Sequence, residues 1–181
     1  MALSDAERIL APDYLDDLQS RPIEVIRAMR AECQEIEVAL SYLRRLVQGR
    51  IDIVAADLRR RAAGEGPAGV SELVEHLPEI LTEKEAGQAR GVGRLPTLMA
   101  PSEAQEARLR AELDTVAGEE FLARLPETPD DDVRAVLDRL TELERTVSAR
   151  RRALHERIDA LQAELTRRYK SGEASVDSLL R

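Results

Sequence analysis

Ten polar side chains, in two stretches of the chain, have the types and spacing to grip a polar, anionic ligand. Glu37, Ser41, Arg44, Gln48 and Asp52 lie in EVALSYLRRLVQGRID, at offsets of 0, 4, 7, 11 and 15. Glu144, Ser148, Arg151, His155 and Asp159, in ERTVSARRRALHERID, keep the same offsets, with histidine in place of glutamine. The flanks agree as well: Arg45 with Arg152, Arg50 with Arg157, Ile51 with Ile158. Arginine offers planar, bidentate donors to phosphate or to guanine O6 and N7, and it stacks on bases. A carboxylate accepts from the guanine N1 and N2 hydrogens, and Ser, Gln and His complete polar contacts. At about 100° per residue, each set of five falls within roughly 80° of a helix circumference. Each is therefore a narrow polar stripe.

Two long helices must carry these stripes. In the first, expected over 22–64, apolar residues recur at Ile26, Met29, Cys33, Ile36, Leu40, Leu43 and Val47, and again at Val54 and Leu58. Alternating steps of three and four make a heptad seam. Pro22 suits a first turn, with Ser20 or Arg21 near the cap, and Gly64-Glu65-Gly66-Pro67 stops the helix. The second, expected over 130–171, has its seam at Val133, Val136, Leu137, Leu140, Leu143, Val147, Leu154, Ile158, Leu161 and Leu165, interrupted by Arg150. Each stripe is offset from its own seam by about 90°, in the same sense. A parallel pairing would put the stripes on opposite sides. An antiparallel pairing puts them on one face, at matching levels. The expected fold is all-α: a long antiparallel two-helix coiled-coil hairpin, with short accessory helices in the connecting segment. Its repeat would form one composite, pseudo-twofold site, matched to a ligand with twofold symmetry. A cyclic dinucleotide containing guanine meets that description.

The pattern E-x3-S-x2-R-x3-Q-x3-D, once on each helix of an antiparallel coiled coil, resembles the cyclic di-GMP signature of the RsiG anti-sigma factors of actinobacteria. The first copy (Glu37, Ser41, Arg44, Gln48, Asp52) matches all five positions, and the second departs only at His155. The resemblance implies that cyclic di-GMP is a regulatory ligand, bound as more than one molecule. It further implies that the liganded protein sequesters a WhiG/FliA-like sigma factor of the sporulation or flagellar type. Histidine keeps hydrogen-bonding ability at 155, but its charge varies with pH.

One stripe alone would be an ordinary solvated flank with intrahelical ion pairs, and a structural or adaptor coiled coil without a nucleotide ligand is the alternative reading. The repeat at a matched level favours a ligand site. Composition agrees with long helices: 34% charged residues, 2% aromatic and no Trp among 181 residues. A formal net charge of −8 opposes general binding to nucleic acid or to an anionic membrane. Cys33 is the only cysteine and falls on the seam, so no thiolate metal site is expected. His155 and Asp159 lack a third ligand, and His76 reads as a surface residue. No nucleophile–base set or phosphate-binding loop points to an enzyme. No signal peptide or membrane span is expected, which places the chain in the cytoplasm. The remaining segments are an acidic N-terminal stretch (1–21), a connecting segment with short helices and a Gly/Pro-rich linker (65–129), and a C-terminal tail (172–181). Within the connector, a helix is expected over 70–81, a linker over 86–101, and a further helix opening at Ser102.

Overall fold

The computed structural model describes residues 2–64 and 101–172. The helix expected over 70–81, most of the expected linker and the tail beyond residue 172 lie outside them. Among the described residues the chain is all-α, with no strand. The order is α1 (Ala2–Leu10), a 3-10 turn (Pro12–Leu15), α2 (Ile23–Ala62), α3 (Glu103–Ala117), α4 (Glu119–Arg124), a 3-10 turn (Leu125–Glu127) and α5 (Asp130–Ser171). At 40 and 42 residues, α2 and α5 each run about 60 Å at 1.5 Å per residue. They are the two long helices of the expected hairpin and pack against each other. The described residues form two compact units: 2–44, 101–109 and 145–172 in the first, 45–64 and 110–144 in the second.

In the first unit the α2 seam residues Ile26, Cys33, Leu40 and Leu43 are fully buried, as are Val147, Leu154 and Leu161 of α5. Cys33 is a core residue, as its place on the seam predicts. The helices are antiparallel here. Arg27, early in α2, hydrogen-bonds the hydroxyl of Tyr169 near the end of α5, whereas Glu37 meets Arg151. Ala6 and Ile9 of α1 are also fully buried, so the acidic N-terminal stretch docks by its apolar face. In the second unit Val47, Val54, Val133 and Leu140 are fully buried, and α3 contributes the buried Leu113 and Ala117, four residues apart on one helical face. The direction is again antiparallel: Gln48 bonds Glu144, and Arg61 bonds Asp130.

Local chemistry sets the helix ends, with one departure from expectation. Ser20 does not cap α2: its hydroxyl donates to the Asp17 carbonyl at 2.8 Å, closing a turn in which Asp17 takes φ 54°. The Pro22 carbonyl instead accepts the amides of Val25 and Ile26, at 3.1 and 3.2 Å. Ser102 does cap α3. Its hydroxyl takes the Gln105 amide, and the Gln105 side chain accepts the Ser102 amide at 3.0 Å, a reciprocal capping box. At their C-terminal ends α2 and α5 run out into Gly64 and Gly172, at φ +73° and +76°, the left-handed stop that glycine adopts without strain.

Candidate functional site

The stripes lie where their quarter-turn offset from the seam requires. Glu37, Ser41, Arg44, Gln48, Asp52, Glu144, Ser148 and Arg151 are all half-buried, while His155 and Asp159 are exposed. None is in the core. In the first unit the two copies meet at Glu37. Its Oε1 accepts from Ser41 Oγ at 2.6 Å, and from Arg151 Nε and Nη2 at 3.2 and 2.8 Å. His155 Nε2 stands 3.5 Å from the same oxygen. Partial burial pushes the Glu37 carboxyl upward, but the Ser41 and Arg151 hydrogen bonds, with the Arg151 and His155 charges, outweigh it and leave the group below its ordinary range. Glu37 is therefore a carboxylate at neutral pH.

In the second unit Gln48 Nε2 donates to Glu144 Oε1 at 3.4 Å. Gln48 is the fourth position of its copy and Glu144 the first of the other. His155 and Glu37 are likewise a fourth and a first position. Each unit thus sets the first-position carboxylate of one copy against the fourth-position side chain of the opposite copy. Among the described residues, the Arg44 guanidinium and the Asp159 carboxylate hold no hydrogen bond or ion pair. Arg44 and Ser148 belong to the first unit and Asp52 to the second.

Sequence reasoning missed how far the repeat extends. The stripes are separated by 107 positions, and the same offset relates Asp57 to Glu164 and Arg61 to Arg168. Both pairs do the same job at helix C-termini. Arg168 bonds Glu164 at 2.7 Å and donates to the carbonyls of Leu18, Gln19 and Arg21 at 2.9, 2.9 and 2.7 Å. Arg61 bonds Asp57 at 2.6 Å and donates to the carbonyls of Leu125 and Thr128 at 2.5 and 2.7 Å. Leu18 and Leu125, and Arg21 and Thr128, are themselves 107 residues apart. The last turn of each long helix therefore clasps the segment that leads into the other. The signal was present: in both copies a carboxylate follows the last stripe position by five residues and an arginine by nine.

Sequence comparison agrees with this two-part organisation. The model of the RsiG-like family matches residues 12–81 and 119–181, two stretches whose starts are again 107 residues apart. The match covers well over half of the chain, and the protein belongs to the RsiG-like family. That family suggests an anti-sigma factor role, with a sigma factor as partner, and is not an enzyme family. A comparison with curated proteins finds no match. Among the described residues no group of His, Cys, Asp and Glu could hold a metal ion, and no helix is long and apolar enough to cross a membrane.

Proposed function

We propose that this protein is an anti-sigma factor that binds cyclic di-GMP through the paired stripes and, when liganded, sequesters a WhiG/FliA-like sigma factor in the cytoplasm to block transcription. Family membership supports the anti-sigma role. The observation that carries the ligand reading is the cross-helix pairing of first and fourth positions, Glu37 with His155 and Gln48 with Glu144, each within its own unit. The two copies come together by the same rule, as a twofold-symmetric ligand requires. The donor set fits the ligand's chemistry. Among the described residues Arg44 holds no partner, and Arg151 uses only one edge of its guanidinium on Glu37, so planar donors remain for guanine O6 and N7 or for phosphate. Asp159, unpaired among the described residues, offers a carboxylate to the guanine N1 and N2 hydrogens.

The test is calorimetry with cyclic di-GMP, followed by co-purification with a candidate sigma factor in the presence and absence of the nucleotide. Binding heat that is lost in Arg44→Ala or Asp52→Ala, and sigma capture only with nucleotide, is the expected result. Absence of heat with the intact protein overturns the ligand reading. Sigma capture that ignores nucleotide would return the protein to a structural or adaptor coiled coil.

A further inference from the structure

The four polar contacts gathered on a single oxygen of Glu37 divide the labour within the stripe. We infer that Glu37 is a positioning residue, which holds Arg151 from the facing helix so that the outer edge of its guanidinium meets the ligand, and that Glu37 does not itself bind the ligand. This inference rests on the ligand reading above and deepens it.

Arg151 spends its Nε–H and one Nη2–H on Glu37 Oε1. A guanidinium is planar and carries five N–H bonds in a fixed fork. With that side edge engaged, the adjacent end of the guanidinium presents one N–H from Nη1 and one from Nη2, parallel and side by side. That edge matches a two-acceptor partner such as guanine O6 and N7 or a phosphate. Meanwhile Glu37 Oε1 is crowded by Ser41, by two nitrogens of Arg151 and by His155. An ionised carboxylate only accepts hydrogen bonds, so it has nothing to offer phosphate or O6 and N7. Its charge would repel phosphate. The second unit repeats the arrangement, for Glu144 accepts from Gln48 of the facing helix. In both units the first-position carboxylate serves the opposite helix, and among the described residues the fifth-position carboxylate of Asp159 holds no hydrogen bond or ion pair and can read guanine.

A double-mutant cycle on the full-length protein, read by calorimetry with cyclic di-GMP, tests the assignment. Glu37→Ala is expected to weaken binding about tenfold, Glu37→Gln less, and Arg151→Ala more than either. A residue acting through Arg151 adds nothing once Arg151 is gone, so Glu37→Ala/Arg151→Ala should bind as Arg151→Ala does. Losses that multiply in the double variant would show direct contact and overturn the inference while leaving the ligand reading intact. Absence of binding by the intact protein overturns both. A readout without ligand separates positioning from general stability: the Arg151 Nε–H resonance should exchange slowly in the native protein and in Asp52→Ala, and rapidly in Glu37→Gln. An unchanged resonance in Glu37→Gln refutes the holding role.

Discussion

Replacing Arg168 with alanine should be among the most destabilising single changes in the chain. The side chain is only 9% exposed and Glu164 8%, so both charges are largely withdrawn from water. Arg168 satisfies three backbone carbonyls of the segment leading into α2, and it shares Glu164 with Arg167, whose two bonds are each 2.9 Å long. Alanine strands the carbonyls and leaves Glu164 with one partner. Truncating one member of a buried pair costs about 3–5 kcal/mol, and hydrogen bonds from a charged donor contribute about 1.5–3 kcal/mol each without adding in full. A loss of about 4 kcal/mol is expected, a large fraction of the ~5–15 kcal/mol that holds a typical domain folded. At roughly 2–4 °C per kcal/mol for a chain of this size, melting should fall by about 10 °C, followed by circular dichroism at 222 nm. Arg168→Lys keeps the charge but lacks the fork that reaches several acceptors, and should fall between native and alanine. Removing both charges in Glu164→Leu/Arg168→Met should recover only the part of the loss that comes from the unpaired carboxylate, because the three carbonyls still lack a donor. An Arg168→Ala protein that melts within about 2 °C of the native one would refute the clasp as a stabilising element.

Two further outcomes follow from the same geometry. The Glu164 carboxyl is held down to about 2 from its ordinary 4.5, chiefly by hydrogen bonds from Arg167 and then Arg168. The unfolded chain therefore takes up this proton first as pH falls; the stabilisation, roughly 3 kcal/mol, is full above about pH 4.5 and is lost on descending towards pH 2. Urea titrations over that window should show a flatter pH dependence in Glu164→Gln, and an unchanged slope would contradict the assignment. Gly49 sits inside α2 with nothing within 4 Å of where a Cβ would stand. Gly49→Ala should raise stability by about 0.5–1 kcal/mol, and a lower melting temperature would count against an unstrained helix there.

The helices and the stripe were legible in sequence because both are periodic. Heptad spacing names the seam, and a stripe offset by a quarter turn emerges outside the core, half-buried at every position but the exposed His155 and Asp159. Even so, burial along the seam is uneven: Ile36 and Leu58 are only half-buried, while the neighbouring Asp57 is fully buried. Periodicity sees apolar types and misses a carboxylate buried by its arginines. The clasps were harder still, since Arg61 and Arg168 bind backbone carbonyls, and a carbonyl has no letter in the sequence. Partners such as Tyr42 with Glu106, or Gln105 with Glu35 at 3.1 Å, join α3 to α2 and likewise leave no periodic trace.

The repeat is uneven in a way that packing explains. Near the start of α2, Arg21 Nη1 lies 3.1 Å from the Met29 sulfur, and the Tyr14 hydroxyl donates to Glu32 at 3.3 Å, so the side chains of the first unit fill the space beside the lead-in. The matching residues 107 positions on are Thr128, Val136, Phe121 and Arg139. Threonine cannot reach over the helix as Arg21 does, valine is shorter than methionine, and phenylalanine has no hydroxyl to tether. These residues accordingly line an open groove of about 420 Å³ in the second unit. Glu, Ser, Arg and Asp of the stripe and the two clasp arginines are identical between copies, whereas the lead-in segments are not. Among these identical residues the clasp arginines make equivalent helix-end contacts in both copies, whereas Arg151 bonds Glu37 and Arg44 holds no hydrogen bond or ion pair among the described residues.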